Sequence, residues 1–130
     1  MLKHYSVLYL TTFFIMLIAD VIWLKGVMQH LFKAQMAEIM EFRMLPAVLF
    51  YLMYPLGMLL FVSHGAQDWK QVLLYGFALG ILCYATYDLT NLATLRPWTA
   101  KFALIDIAWG GVVTGISAAG GWLATRAILN

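Results

Sequence analysis

Charge is scarce in this sequence. Of its 130 residues only 11% are Asp, Glu, Lys or Arg, where a soluble domain carries roughly 25%. The net charge of +2 is too small to argue for a nucleic-acid partner. A single cysteine, Cys83, lies inside an apolar run, so no intramolecular disulfide forms and cysteine usage says nothing of the redox compartment. There is no Gly-rich phosphate loop, no Cys/His zinc spacing and no G-x-S-x-G nucleophile turn. The familiar soluble chemistries are thereby set aside.

What remains is apolar. Hydrophobic residues make up 64% of the chain and the mean hydropathy is +0.84, which marks an integral membrane protein. A helix needs about 20 apolar residues to cross the hydrocarbon core. Four stretches qualify, at 5–24, 45–62, 72–93 and 102–123, and the expected fold is an all-α polytopic four-helix bundle forming one transmembrane domain over residues 1–130. The first stretch has a basic start, like a signal peptide, but no small-x-small cleavage site follows it; Asp20, Val21, Ile22 and Trp23 come next, so it is read as a retained helix. Between the first two spans, Met28, Leu31, Phe32, Met36, Ile39 and Met40 recur at helical spacing with Gln29, Lys33 and Glu41 off the stripe. The pattern predicts an amphipathic helix over residues 28–43, either lying in the membrane surface or packed on the bundle. Lys25, Lys33, Arg43, Arg96 and Lys101 fall on one side of the membrane, and Lys3, Lys70 and Arg126 on the other. That excess favours both termini outside the cytoplasm.

Small residues mark where helices meet. Gly76 and Gly80 form one G-x-x-x-G and Gly111 and Gly115 another, with Ala118, Ala119, Gly120 and Gly121 following. In lipid no hydrophobic force drives helices together, and small residues allow close backbone approach. Packing within the bundle is the expected use, ahead of a dimer contact. Pro55, in YPLG, is expected to kink the second span.

Half of the six acidic residues lie inside the spans: Asp20, Asp88 and Asp106. Counted from the helix ends at 1.5 Å per residue, all three sit about 8–10 Å below the same membrane face. Acidic residues at the centre of an inserting helix cost about 2.5–3.5 kcal/mol each, less toward the interface, and they normally face the bundle interior or a water-filled cavity. The neighbours agree. Gly80, Tyr84, Tyr87, Asp88 and Asn91 form one stripe on the third span, and Thr12, Met16, Asp20 and Trp23 one on the first. Asp20-x-x-Trp23 and Asp106-x-x-Trp109 place an indole on the same helix face as each acid. These tryptophans suit two roles, anchors at the membrane interface or walls of a pocket. In YDLTNLATLRPW, residues 87–98, Asp88 and Asn91 share a face, Pro97 stops the helix or starts the next, and Arg96 brings a guanidinium able to pair with an acid or to hold a lipid phosphate. His4 and His64 are expected at the opposite face, and His30 on the surface helix, none of them as ligands.

The motifs DxxWL, YPLG, YDLTNLATLRPW and IDIAWG, in this order along four spans, resemble the family catalogued as domain of unknown function 2177 over essentially the whole chain. The resemblance implies a bacterial polytopic protein of the cytoplasmic (inner) membrane and brings no activity or catalytic residues.

Three functions fit the residues. The first is a lipid-binding or lipid-modifying site in one leaflet, with Asp88 at its centre, Asp20 and Asp106 flanking, Asn91 and Arg96 holding the substrate, and Tyr84, Tyr87, Trp23 and Trp109 lining it. Like charges in a poorly solvated site cannot all ionise, which suits acid/base chemistry. No cofactor is demanded, although oxygen ligands would suit a divalent cation. The second is a proton- or cation-coupled transporter or channel, built as a homo-oligomer because four spans are few for a pathway. The third is a structural or accessory subunit whose acids tie the bundle together.

Overall fold

A computed structural model describes residues 2–28 and 43–129. Four helices carry the chain: α1 (Leu2–Trp23), α2 (Met44–Met58), α3 (Trp69–Thr94) and α4 (Ala100–Leu129). Single π-helical turns, Leu24–Met28 and Leu59–Ser63, continue α1 and α2. With those turns, all four helices are long and apolar enough to cross a membrane, and each runs a few residues beyond the expected span, α4 to Leu129. The described part of the protein is an all-α polytopic bundle. The amphipathic helix expected over 28–43, with His30 and Lys33, lies outside the described residues except at its two ends.

The bundle is built around α4. Fourteen of its residues are buried, most of them small: Gly110, Gly111, Gly115, Ala118 and Gly121 among them. The large apolar side chains of α1, α2 and α3, such as Phe14, Ile18, Phe61 and Leu82, point outward and stay exposed, as lipid-facing groups must. The glycines act within the chain. A Cβ on Gly76 would stand 2.9 Å from the Gly115 Cα, and one on Gly80 would run into the Gly110 carbonyl oxygen. The close pairs across antiparallel α3 and α4 are therefore Gly76 with Gly115 and Gly80 with Gly110. Gly111, half of the expected second motif, instead faces the Phe77 and Ile81 side chains. On the other side of α4, Gly121 takes Thr12 of α1 against its backbone.

Tyrosines fasten α2. The Tyr9 hydroxyl donates to the Leu52 carbonyl at 2.8 Å, one turn before Pro55, whose missing N–H disturbs the helical ladder there. Tyr54 shares a hydrogen bond of 2.7 Å with Thr114 Oγ1. The helix continues through Pro55 to Met58 and then widens into its π turn. At one end of the bundle, Met28 and Leu92 pack on a cluster of Trp98, Phe102 and Ala103. At the other, Tyr5 and His64 Nδ1 lie 3.0 Å apart in a hydrogen bond. Both His4 and His64 thus lie opposite the aspartates, as expected.

Candidate functional site

Asp20 is held from two other helices. It accepts from the Tyr51 hydroxyl at 2.8 Å through Oδ2 and from Trp109 Nε1 at 3.1 Å through Oδ1. The indole it meets belongs to α4, so Asp20 pairs with a tryptophan across helices and not with Trp23 of its own helix, whose Nε1 has no hydrogen-bond partner among the described residues. Trp109 in turn stacks on Trp23, with centroids 4.5 Å apart and planes inclined by 3°. Both indoles line one cavity.

That cavity has a volume of about 130 Å³ and is lined by Asp20, Asp106, Tyr51, Tyr84 and the two indoles, with Phe50, Leu24 and Met28 at its edges. Asp106 is 8% exposed, whereas Asp88 is fully buried and is not part of the lining. Asp88 stands behind Asp106, facing it and the Trp98 indole. Neither of its carboxylate oxygens, nor Trp98 Nε1, completes a hydrogen bond among the described residues. Asp88, expected at the centre, lies outside this lining, and Asp20 and Asp106 are the acids that reach the cavity.

Among the described residues the charged groups acting on these acids are one another: Asp106 on Asp20, and Asp88 and Asp106 mutually. Arg96, expected beside them, is exposed and lines no part of the cavity. Asn91 is half-buried beside the Tyr87 hydroxyl and is also outside the lining. Tyr87 is 52% exposed and lines a neighbouring apolar pocket instead. Among the described residues no three Asp, Glu, His or Cys side chains converge as a metal site. The aspartates follow one another in the order 20, 106, 88.

Four lining residues escaped the sequence reading of the site, Leu24, Met28, Phe50 and Tyr51, and Tyr51 is the one that carries a polar group. Tyr51-x-x-Tyr54 was the available signal, since a phenol deep in a span needs a polar partner. The geometry predicts a modest role in stability for this bond. Tyr51→Phe keeps the ring and removes one donor to a carboxylate, and hydrogen bonds between membrane helices average about 0.6 kcal/mol. Equilibrium unfolding in mixed micelles should show a loss of about 0.5–1.5 kcal/mol. A loss several times larger would mean that Tyr51 holds the helix in a way this bond does not explain.

Among the described residues the charged groups lining the cavity are two carboxylates, with the Tyr51 and Tyr84 phenols beside them, and carboxylate oxygens accept hydrogen bonds. The cavity's 130 Å³ is room for roughly four waters at about 30 Å³ each. No curated protein and no solved structure matches the chain. The model of one family, described as predicted membrane protein (DUF2177), matches residues 5–123, nearly all of the sequence, and the chain belongs to that family.

Proposed function

We infer that the protein binds an amphiphile within one leaflet, its ammonium or hydroxyl-bearing head in the Asp20/Asp106 cavity and its chain along α2 and α3. The observation that carries this reading is continuity. The acidic cavity shares Phe50 and Tyr84 with an apolar pocket of about 290 Å³. That pocket shares Phe50, Tyr54 and Cys83 with an apolar groove of about 450 Å³ reaching Gly57 and Phe61. From Phe50 to Phe61 α2 rises about 16 Å, close to half of a hydrocarbon core of about 30 Å. An acyl chain of one leaflet fits that length. The head chemistry differs from an anionic group held by Arg96, because Arg96 is exposed and outside the lining, and the charged groups lining the cavity among the described residues are acids, which favour ammonium and hydroxyl donors. In this reading the cavity opens at the cytoplasmic face of the bacterial inner membrane, the side bearing Lys25, Arg43, Arg96 and Lys101.

Gly57 tests the groove without touching the acids. A Cβ there meets nothing within 4 Å, so Gly57→Trp fills the groove and leaves the helix contacts in place. Lipids retained by the purified protein in mild detergent are then compared by mass spectrometry. The wild type should retain an amine- or hydroxyl-headed species near one per chain, and both Gly57→Trp and Asp106→Asn should lose it at least tenfold. An identical lipid profile for all three proteins would refute the assignment.

One further observation favours the transport reading as the runner-up. Below the cavity, Thr114, Ser117, Thr12 and Thr125 are buried in the core, each at most 2% exposed, and the Ser117 hydroxyl has no partner among the described residues. Buried hydroxyls in a span can relay protons. Proton flux into proteoliposomes that disappears with Asp106→Asn would favour transport over lipid binding.

A further inference from the structure

At the face opposite the aspartates a second polar cavity opens, of about 280 Å³, lined by His4, Ser63, Gly65, Trp122, Thr125 and Arg126 among others. We propose that it is a phosphate-binding site, taking either a phospholipid headgroup or a soluble phosphomonoester.

Donors surround it from three elements. Arg126 comes from the last turn of α4, His4 from the first turn of α1, and Ser63 from the π turn that closes α2. The Arg126 guanidinium rests on Trp122, 4.7 Å from the ring centroid. Stacking uses the flat face of the guanidinium and leaves its in-plane N–H groups free for a planar or tetrahedral oxyanion. Ser63 supplies the independent sign of a ligand. It is 4% exposed, it lines the cavity, and its Oγ has no hydrogen-bond partner among the described residues. Buried hydroxyls are normally satisfied; this one is shielded from the cavity as it stands, and a turn about its Cα–Cβ bond would bring it to an oxyanion there. Thr125, by contrast, already spends its proton on the Gly121 carbonyl at 2.7 Å.

The charge of this face agrees. Among the described residues it holds Lys3, Lys70 and Arg126 against one acid, Asp68, and Asp68 accepts from the Gln71 backbone N–H at 2.8 Å as the cap of α3. A phosphate has enough oxygens to meet Arg126, Ser63 and His4 together, which a halide or a single hydroxyl has not. This site does not depend on the lipid reading of the acidic cavity, whose chemistry is of the opposite sign.

The experiment uses the full chain in detergent and three probes: dioctanoyl phosphatidylglycerol, glycerol 1-phosphate and dioctanoylglycerol. Binding is followed by native mass spectrometry and by calorimetry, for the wild type and for Arg126→Gln, Arg126→Lys and Ser63→Ala. The phosphorylated probe should bind the wild type, weaken at least tenfold in Arg126→Gln and several-fold in Ser63→Ala, and recover in part with Arg126→Lys. Dioctanoylglycerol, which lacks phosphate, should be indifferent to all three changes. Binding of the phosphatidylglycerol alone identifies a lipid headgroup as the source; equal binding of glycerol 1-phosphate identifies a soluble one. Arg126 is exposed, so its variants should fold, and unchanged melting profiles verify that. Failure of both phosphorylated probes to bind, or binding untouched by Arg126→Gln and Ser63→Ala, overturns the proposal.

Discussion

Replacing Gly80 with valine should cost the bundle about 3 kcal/mol, at the upper end for overpacking a well-filled core. Even the first added carbon would run into the Gly110 carbonyl and approach the Thr114 hydroxyl to 2.7 Å. The obstacle is backbone, which cannot swing aside as a side chain can, so α3 and α4 must separate along the contact that defines the fold. Separation would also break the shared hydrogen bond of Tyr54 with Thr114 and loosen Tyr84, whose ring lies against Gly110. Gly57→Ala is the matched control. It adds a carbon at a helical glycine with nothing within 4 Å, and removing a helical glycine gains about 0.5–1 kcal/mol. Unfolding of the three proteins in mixed micelles decides the matter. Equal midpoints for Gly80→Val and wild type would mean that α3 and α4 do not meet through Gly80.

How far the sequence reached follows from what helical periodicity can and cannot encode. Span length and composition depend on local hydropathy alone, so the four crossing helices were legible. That Asp20, Asp88 and Asp106 fall toward one end of the bundle was legible too, since rise per residue is fixed. Periodicity also gives the face on which a residue lies, and it placed Asp20 with Trp23 and Asp106 with Trp109. It does not give the rotation of one helix against the next. That rotation is set by contacts such as Gly80 on Gly110 and Thr12 on Gly121, and it decides that Asp20 meets Trp109, that Asp88 falls behind Asp106, and that Arg96 faces away. Tyr51 was missed for the same reason. Its partner lies 31 residues away on another helix, and nothing in the intervening sequence marks the pairing.

Asp20 separates scaffold from function most sharply, because two substitutions there should diverge. Asp20→Ala removes the acceptor of two hydrogen bonds at once. The Tyr51 hydroxyl can turn toward the cavity, but Trp109 Nε1 is a donor with no alternative role. The loss in stability should be about 1–3 kcal/mol, the cost of orphaned donors moderated by the small worth of such bonds in membranes. Asp20→Asn keeps the shape. Its carbonyl oxygen can accept from Trp109, and its amide can donate to the Tyr51 oxygen, which accepts as readily as it donates. Stability should then stay within about 0.5 kcal/mol of wild type, because both hydrogen bonds are kept and a neutral amide costs less to bury than a carboxylate. What Asp20→Asn cannot keep is the negative charge and the free acceptor lone pairs facing the cavity. If the cavity holds an ammonium or hydroxyl-bearing head, the co-purified amphiphile should fall at least tenfold in this variant although the fold is intact. If the acids serve only to tie helices, Asp20→Asn should retain its lipids and differ from Asp20→Ala in stability alone. The pair of variants, scored by unfolding midpoint and by retained lipid, therefore distinguishes a binding site from a structural tie, which neither substitution could do by itself.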